Sequence, residues 1–150
     1  MTPETLKNVL EQIRKLFLQS LEPFERSLSK CQSIHLVDPL SCEAEESFDA
    51  LTSKFARFFD IFGQRVLKSV ALLLREDAPT SIDRINLSKI LHLVPSTEIL
   101  IRIRDLRNLI ANKYAPESLL EVYKETIALS GDLIRAIQQA DQTINRMLHT

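Results

Sequence analysis

Glycine, tryptophan and cysteine are scarce in this chain, and each scarcity excludes something. Only two glycines occur, Gly63 and Gly131, and tryptophan is absent, which disfavours a turn-rich β architecture and favours helix. The two cysteines, Cys31 and Cys42, have neither a CxxC nor a His/Cys spacing typical of zinc. We therefore expect reduced cysteines, no metal and a cytoplasmic protein.

Long apolar runs and nucleotide-binding loops are also missing. No apolar run approaches the length of a membrane span, and the N-terminus has an amphipathic pattern rather than that of a signal sequence. There is no glycine-rich turn to cradle a phosphate, and no Gly-Ser loop followed by paired aspartates. These absences predict no membrane association and no cofactor, and they indicate that the chain is not itself a nucleotidyltransferase.

Charge is nearly balanced overall but uneven along the chain. The formal net charge is -1, so the whole molecule does not attract nucleic acid by charge alone. Residues 31–53 contain no Lys or Arg and several acidic residues, whereas residues 101–113 carry four basic residues against a single acidic one, Asp105. The basic residues of that segment are Arg102, Arg104, Arg107 and Lys113. An RNA-binding surface is therefore expected to be local and to include this segment.

The composition and the apolar periodicity predict one helical domain over residues 1–150. The chain is 45% hydrophobic and 26% charged, which is typical of a soluble globular protein. We expect an all-α antiparallel bundle of about five helices. The predicted helices cover about 3–31, about 42–75, a short segment after Thr80, a segment from Ser96 that frays near Tyr114, and about 117–148.

Local signals predict where these helices begin and where they are disturbed. Thr2 and Ser96 are predicted N-caps, and Thr80 with Asp83 has the spacing of a capping box. Pro23 is predicted to kink or break the first helix, because proline removes a backbone donor and clashes with the preceding turn.

Two apolar stripes have helical spacing. The stripe of the second helix is rich in Phe and is interpreted as core rather than as a ligand pocket; it comprises Phe48, Leu51, Phe55, Phe58, Phe62, Val66 and Leu73. The stripe of the last helix alternates steps of three and four like a heptad seam, with two polar interruptions; it comprises Leu120, Tyr123, Ile127, Ser130, Ile134, Ile137, Asp141, Ile144 and Leu148.

The residues at 107–114 read RNLIANKY and resemble the signature of the HEPN superfamily, in its HepT-like branch. In that signature an Arg, usually followed by Asn, precedes a His by five positions, and a Tyr follows the His by two. Arg107, Asn108, Ala111 and Tyr114 match, but the His position holds Asn112. Further upstream segments also resemble the HepT-like branch, over about 45–137: these are Phe59–Asp60, Asp83–Leu87, Leu93–Ser96 and Ile103–Asn108.

The resemblance implies a fold, an assembly and a chemistry. Members are bundles with a four-helix core that pair as two-fold homodimers, and the Arg and His of both protomers meet in a cleft between them. Active members cleave RNA without metal and serve as toxins in toxin–antitoxin pairs. By resemblance, the catalytic positions are Arg107, Asn108 and Asn112, the last at the His position, and RNA-binding positions are Arg104, Arg107 and Lys113.

The His-to-Asn difference makes the activity uncertain. Arg presents a planar fork of donors that matches phosphate oxygens, and His exchanges a proton near neutral pH. Asn has no proton equilibrium near neutrality, so the ribonuclease scaffold is expected to be weak or inactive as it stands. None of the three histidines, His35, His92 and His149, has the motif spacing to replace it.

Several interpretations remain open at this stage. In the HepT-like branch the partner is a nucleotidyltransferase antitoxin that transfers AMP to the Tyr aligned here with Tyr114. The alternative function is a non-catalytic helical binding partner of such a nucleotidyltransferase, and a third is a helical scaffold without a nucleic-acid role. Asn112 itself is a natural loss of the His, a deliberate alteration, or a helix C-terminal residue that Asn tolerates.

Overall fold

The computed structural model describes residues 2–112 and 116–149, and within them it contains helices and no β-strand. The helices in these ranges are α1 Pro3–Gln32, α2 Cys42–Asp60, α3 Lys68–Leu73, α4 Ser81–Ile90, α5 Thr97–Ala111 and α6 Leu119–Leu148. A π-helical segment, Ile61–Leu67, joins α2 to α3, and a short 3-10 helix, Pro116–Ser118, precedes α6. The predicted all-helical class is confirmed, and the predicted second helix is a continuous run that changes from α to π and back.

The helices form a bundle in which α1, α2, α5 and α6 each pack against their neighbours around a ring. Helices α1 and α2 are antiparallel: Phe17 packs on Phe58 near the end of α2, whereas the Cys31 thiol donates to the carbonyl of Ser47 near its beginning. Helix α4 packs against the π-helical segment and α5. The two-fold pairing and the specifically HEPN-like core stay predictions.

The phenylalanine stripe of α2 is core, as predicted. All four phenylalanines of the stripe are buried, and so is Phe59 beside it. Phe17 and Phe24 of α1 pack against them. Phe58 lies between these two rings, with centroid distances of 5.1 Å to Phe17 and 4.8 Å to Phe24. Aromatic packing of this kind supplies much of the apolar burial that holds a small bundle together.

Local capping signals are confirmed at three helices. The Thr2 hydroxyl accepts from the Thr5 amide, Thr80 and Asp83 form a reciprocal capping box, and the Ser96 hydroxyl accepts from the Ile99 amide. Each cap satisfies a backbone donor that the first helical turn leaves unpaired.

Proline at position 23 does not break α1, which runs through it to Gln32. Pro23 has no amide hydrogen, so one hydrogen bond of the helix is lost there. The adjacent side chains, Leu21 and Phe24, are both buried in the core. Their burial outweighs the local cost and keeps the two halves of the helix together.

The buried face of α6 is wider than the predicted heptad seam, and its centre lies to one side of that seam. Tyr123, Ser130, Ile137 and Ile144 are buried as predicted, while the remaining seam residues lie at a partly exposed edge. The face also includes residues outside the predicted seam, namely Val122, Thr126, Leu129, Leu133, Ala136 and Ala140. Small side chains are buried here because helices approach closely, and hydrophobicity alone does not indicate such positions.

Some large apolar side chains are exposed. Leu16 of α1 is 52% exposed and Ile90 at the end of α4 is 73% exposed. Both cysteines are unpaired, as expected; Cys31 is buried, and burial raises the pKa of its thiol, whereas Cys42 is exposed. In the described part of the chain, no helix is both long and apolar enough to cross a membrane.

Candidate functional site

Residues 107–111 of the motif lie on the last two turns of α5, and Arg107 is the best anchored of them. Its guanidinium forms a bidentate ion pair with the carboxylate of Asp60, and the two side chains are 28% and 33% exposed. Nε lies 2.6 Å from Oδ1 and Nη2 lies 2.8 Å from Oδ2. These hydrogen bonds to Asp60 raise the pKa of Arg107. The ion pair joins α5 to the end of α2, across 47 positions of sequence.

Asp60 is held in place because its neighbours are buried. It is the last residue of α2 and immediately precedes the π-helical segment. Phe59 and Phe62 on either side are 5% and 1% exposed. A π turn inside a helix widens the backbone and changes the direction of the side chains that follow, and such turns occur often at functional sites.

A pocket of about 160 Å³ opens beside this ion pair. The residues that line it come from the end of α2, the π-helical segment, the start of α4 and the end of α5. They are Phe59, Asp60, Gly63, Gln64, Ser81, Arg84, Arg104, Arg107 and Asn108. We call this the arginine pocket. Three arginines against one carboxylate leave its lining with a net charge of two positive units.

The arginines of the pocket differ in how they are compensated. Arg84 donates from Nε to the carbonyl of Ala78 and from Nη2 to the carbonyl of Pro79, each at 3.0 Å. Both acceptors are neutral, so the charge of Arg84 is not cancelled by them. Arg104 lies 3.6 Å from Asp105, a side chain that is 63% exposed. An ion pair this long and this exposed is weak. The pocket therefore retains a positive potential despite Asp60.

Gly63 contributes open space to the pocket wall. A Cβ built at Gly63 meets no heavy atom within 4 Å. Glycine inside a helix is less stable than alanine by about 0.5–1 kcal/mol. Packing within the chain therefore gives no reason for glycine here, whereas the close approach of a ligand to the backbone would.

Asn112 is the residue that follows α5, at the position where the helix ends. Its amide donates to the Asn108 carbonyl at 3.0 Å, and its side chain is exposed. Its backbone angles, φ -92° and ψ 9°, are open to any L-residue, so the turn does not require Asn. Asn112 does not line the arginine pocket. Lys113 and Tyr114 lie outside the described residues.

The structure brings some predicted residues together and adds others. Arg104, Arg107 and Asn108 share the arginine pocket, as their spacing on α5 predicts. Arg102 lies elsewhere, paired with Glu125 of α6 at 2.9 Å. Sequence reasoning assigned no role to Asp60, Gly63, Gln64, Ser81 and Arg84. Asp60 and Arg84 fall in segments that resemble the HepT-like branch, which was the only signal available for them.

The remaining candidates for a site carry less chemistry. None of the three histidines lines the arginine pocket. A larger cavity of about 610 Å³ lies between the end of α1 and the start of α2. Its lining mixes Lys30 with Glu43 and Glu46 and gathers no charge of one sign. Among the described residues, no group of three or more His, Cys, Asp or Glu side chains is placed to hold a metal ion.

Comparison of the chain with family models, with curated proteins and with solved structures finds no match.

Proposed function

We propose that this chain is an RNA-binding protein of the HEPN type, in the HepT-like branch, that engages a phosphate group in the arginine pocket. The observation that carries the proposal is the convergence of Arg84, Arg104 and Arg107 on one small pocket with a single carboxylate. Arginine is suited to this role because its planar fork of donors matches phosphate oxygens. The overall charge of -1 confines the attraction for RNA to this surface.

The RNA ligand is favoured by the position of the pocket relative to the motif. Arg107 and Asn108 begin the RNLIANKY segment and line the pocket, while Asn112 follows five residues after Arg107 at the exposed end of the same helix. In this proposal a nucleic-acid strand held at Arg107 also reaches position 112, where the signature has its His. With Asn there, the protein binds RNA and cleaves it weakly or not at all.

Replacing Arg107 by Ala is expected to lower RNA affinity by about tenfold to a hundredfold, the usual effect of removing a charge-assisted hydrogen bond to phosphate. Arg84→Ala is expected to act in the same direction. The measurement is fluorescence anisotropy of a labelled single-stranded RNA over a series of salt concentrations. The salt dependence should become shallower by about 0.7 in log–log slope for each phosphate that the variant no longer neutralises.

Arg102→Ala is the matched control, because it removes the same charge from the same helix. Arg102 is paired with Glu125 and lies outside the arginine pocket. Its replacement should therefore change the affinity little. Equal RNA affinity of the wild type and the Arg107 variant at low salt would remove the nucleic-acid proposal.

The proposal includes a homodimer that places α5 of each protomer at a shared cleft. Leu109, within the motif, is 45% exposed, and Asn112 beyond it on the chain is exposed as well. The dimer itself is proposed from the resemblance, and Leu109 is the exposed apolar residue of the motif at which it can be tested. Sedimentation velocity at micromolar concentration should show a dimer, which Leu109→Glu should dissociate. A wild-type monomer under these conditions would contradict this part of the proposal.

Transfer of AMP to Tyr114 by a partner nucleotidyltransferase stays a prediction, since Tyr114 is outside the described residues. A phosphodiester attached near Arg107 would offer that guanidinium a covalently held anion and would compete with RNA.

A further inference from the structure

The hydrogen bonds of Arg107 leave part of its guanidinium available. Arginine has five N–H donors. Asp60 takes one from Nε and one from Nη2, and the Asn108 side-chain oxygen takes one from Nη1 at the longer distance of 3.4 Å. Within residues 2–112 and 116–149, no other side chain accepts from the Arg107 guanidinium. With respect to those residues two donors remain, one on Nη1 and one on Nη2.

Asp60 and a ligand would therefore use different edges of the Arg107 guanidinium. Asp60 binds the edge formed by Nε and Nη2. The adjacent edge is formed by Nη1 and Nη2, and among the described residues its other side-chain contact is the long one from Nη1 to Asn108, at 3.4 Å. An anion in the arginine pocket has bidentate donors available without displacing Asp60. The carboxylate and the ligand are then compatible rather than competing.

Asp60 also lowers the entropic cost of binding a ligand at Arg107. A free arginine side chain samples many rotamers, and immobilising it on a ligand opposes binding. The bidentate pair already restricts Arg107, and Asp60 itself stands on backbone that Phe59 and Phe62 anchor in the core. The restriction of Arg107 is thus complete before any ligand arrives.

We propose that Asp60 is a positioning residue, which holds the Arg107 guanidinium so that its free edge receives an RNA phosphate in the arginine pocket. This inference rests on the proposed function and adds a residue that the α5 motif does not contain. The inference predicts an unexpected direction of change in affinity, because removing a negative charge from the pocket should weaken the binding of an anion. If the Asp60 carboxylate instead occupied the position of the phosphate, its removal would strengthen the binding of an anion.

The first test measures RNA affinity of Asp60→Asn in the full chain, with Asp105→Asn as the matched control. Both variants remove one carboxylate near the arginines, but Asp105 makes only the long, exposed contact with Arg104. Asp60→Asn should lower affinity by about two- to tenfold, the effect of releasing one long side chain. Asp105→Asn should leave affinity unchanged or raise it. A rise for Asp60→Asn as large as that for Asp105→Asn would overturn the inference.

A double variant separates positioning from a general loss of structure. In an Arg107→Ala background, Asp60→Asn should cause no further loss of RNA affinity and should leave it unchanged or raise it, because the side chain that Asp60 positions is gone and only its negative charge remains. A further loss of the same size in that background would show that Asp60 acts on the fold rather than on Arg107.

The second test needs no ligand. The Nε–H group of Arg107 should give an ordered, slowly exchanging signal in ¹⁵N-resolved NMR spectra of the wild type, and Asp60→Asn should broaden it or move it to the exchange-averaged position of free arginine. An unchanged signal in Asp60→Asn would overturn the positioning role, whatever the RNA affinity of that variant. If this signal responds as expected while Arg107→Ala leaves RNA affinity intact, the proposed function fails and the ion pair's effect on Arg107 stands.

Discussion

Replacing Asn112 by His is expected to raise RNA cleavage by the protein about 10²–10⁴-fold, the range that general acid–base help supplies. The expectation follows from the resemblance, which puts a His at this position of the signature. An imidazole titrates near neutral pH and transfers a proton, whereas the Asn side chain does not. Arg107 would supply the phosphate contact in both proteins.

The structure indicates that position 112 accepts His without a change of fold. The Asn112 side chain is exposed and lies after the last residue of α5. Its backbone conformation has negative φ, and the hydrogen bond to Asn108 uses the main-chain amide, which every residue but proline retains. A difference in cleavage between the two proteins would therefore report on chemistry rather than on stability.

The measurement is cleavage of a labelled RNA in the presence of EDTA, for the wild type and for Asn112→His. The rate of the His variant should depend on pH with an apparent pKa near that of imidazole, about 6.5. Asn112→Gln serves as the control, and Arg107→Ala combined with Asn112→His should abolish the gain. RNA that is bound but not cleaved by the His variant would favour the non-catalytic partner function instead.

Truncating Phe24 to Ala is expected to lower the free energy of unfolding by about 3–5 kcal/mol, the usual cost of removing a buried aromatic ring. Phe24 is fully buried, and its ring stacks on Phe58 at 4.8 Å. It also follows Pro23, where the helix lacks a backbone hydrogen bond. Loss of the ring removes the packing that holds α1 together at this point.

Urea denaturation followed by circular dichroism tests this expectation. Leu16→Ala is the matched control on the same helix, because Leu16 is 52% exposed although it belongs to the same apolar periodicity. It should change stability by less than about 0.5 kcal/mol, as is usual for surface positions. Equal destabilisation by the two variants would mean that the aromatic cluster of α1 and α2 is not the centre of the core.

The order and bounds of the helices could be predicted because their signals are local. A cap such as Thr80 with Asp83 is completed within one helical turn, and the periodicity of α5 indicates Ile103 and Leu106 as buried whatever they pack against. The same reasoning does not distinguish Leu16 of α1 and Ile90 of α4, which are apolar but exposed. Periodicity predicts which face of a helix is apolar, but the neighbouring helices determine how much of that face is buried.

The sequence by itself determined the helical class, the caps, the phenylalanine core and the basic motif at the end of α5. Tertiary structure alone decided that Asp60 meets Arg107 and that Arg84 joins the same pocket. The physical reason is distance along the chain. Asp60 is 47 residues from Arg107, and no local rule relates the direction of a side chain beside a π turn to a helix so far away. Packing of α2, α4 and α5 creates that relation, and with it the charge of the pocket.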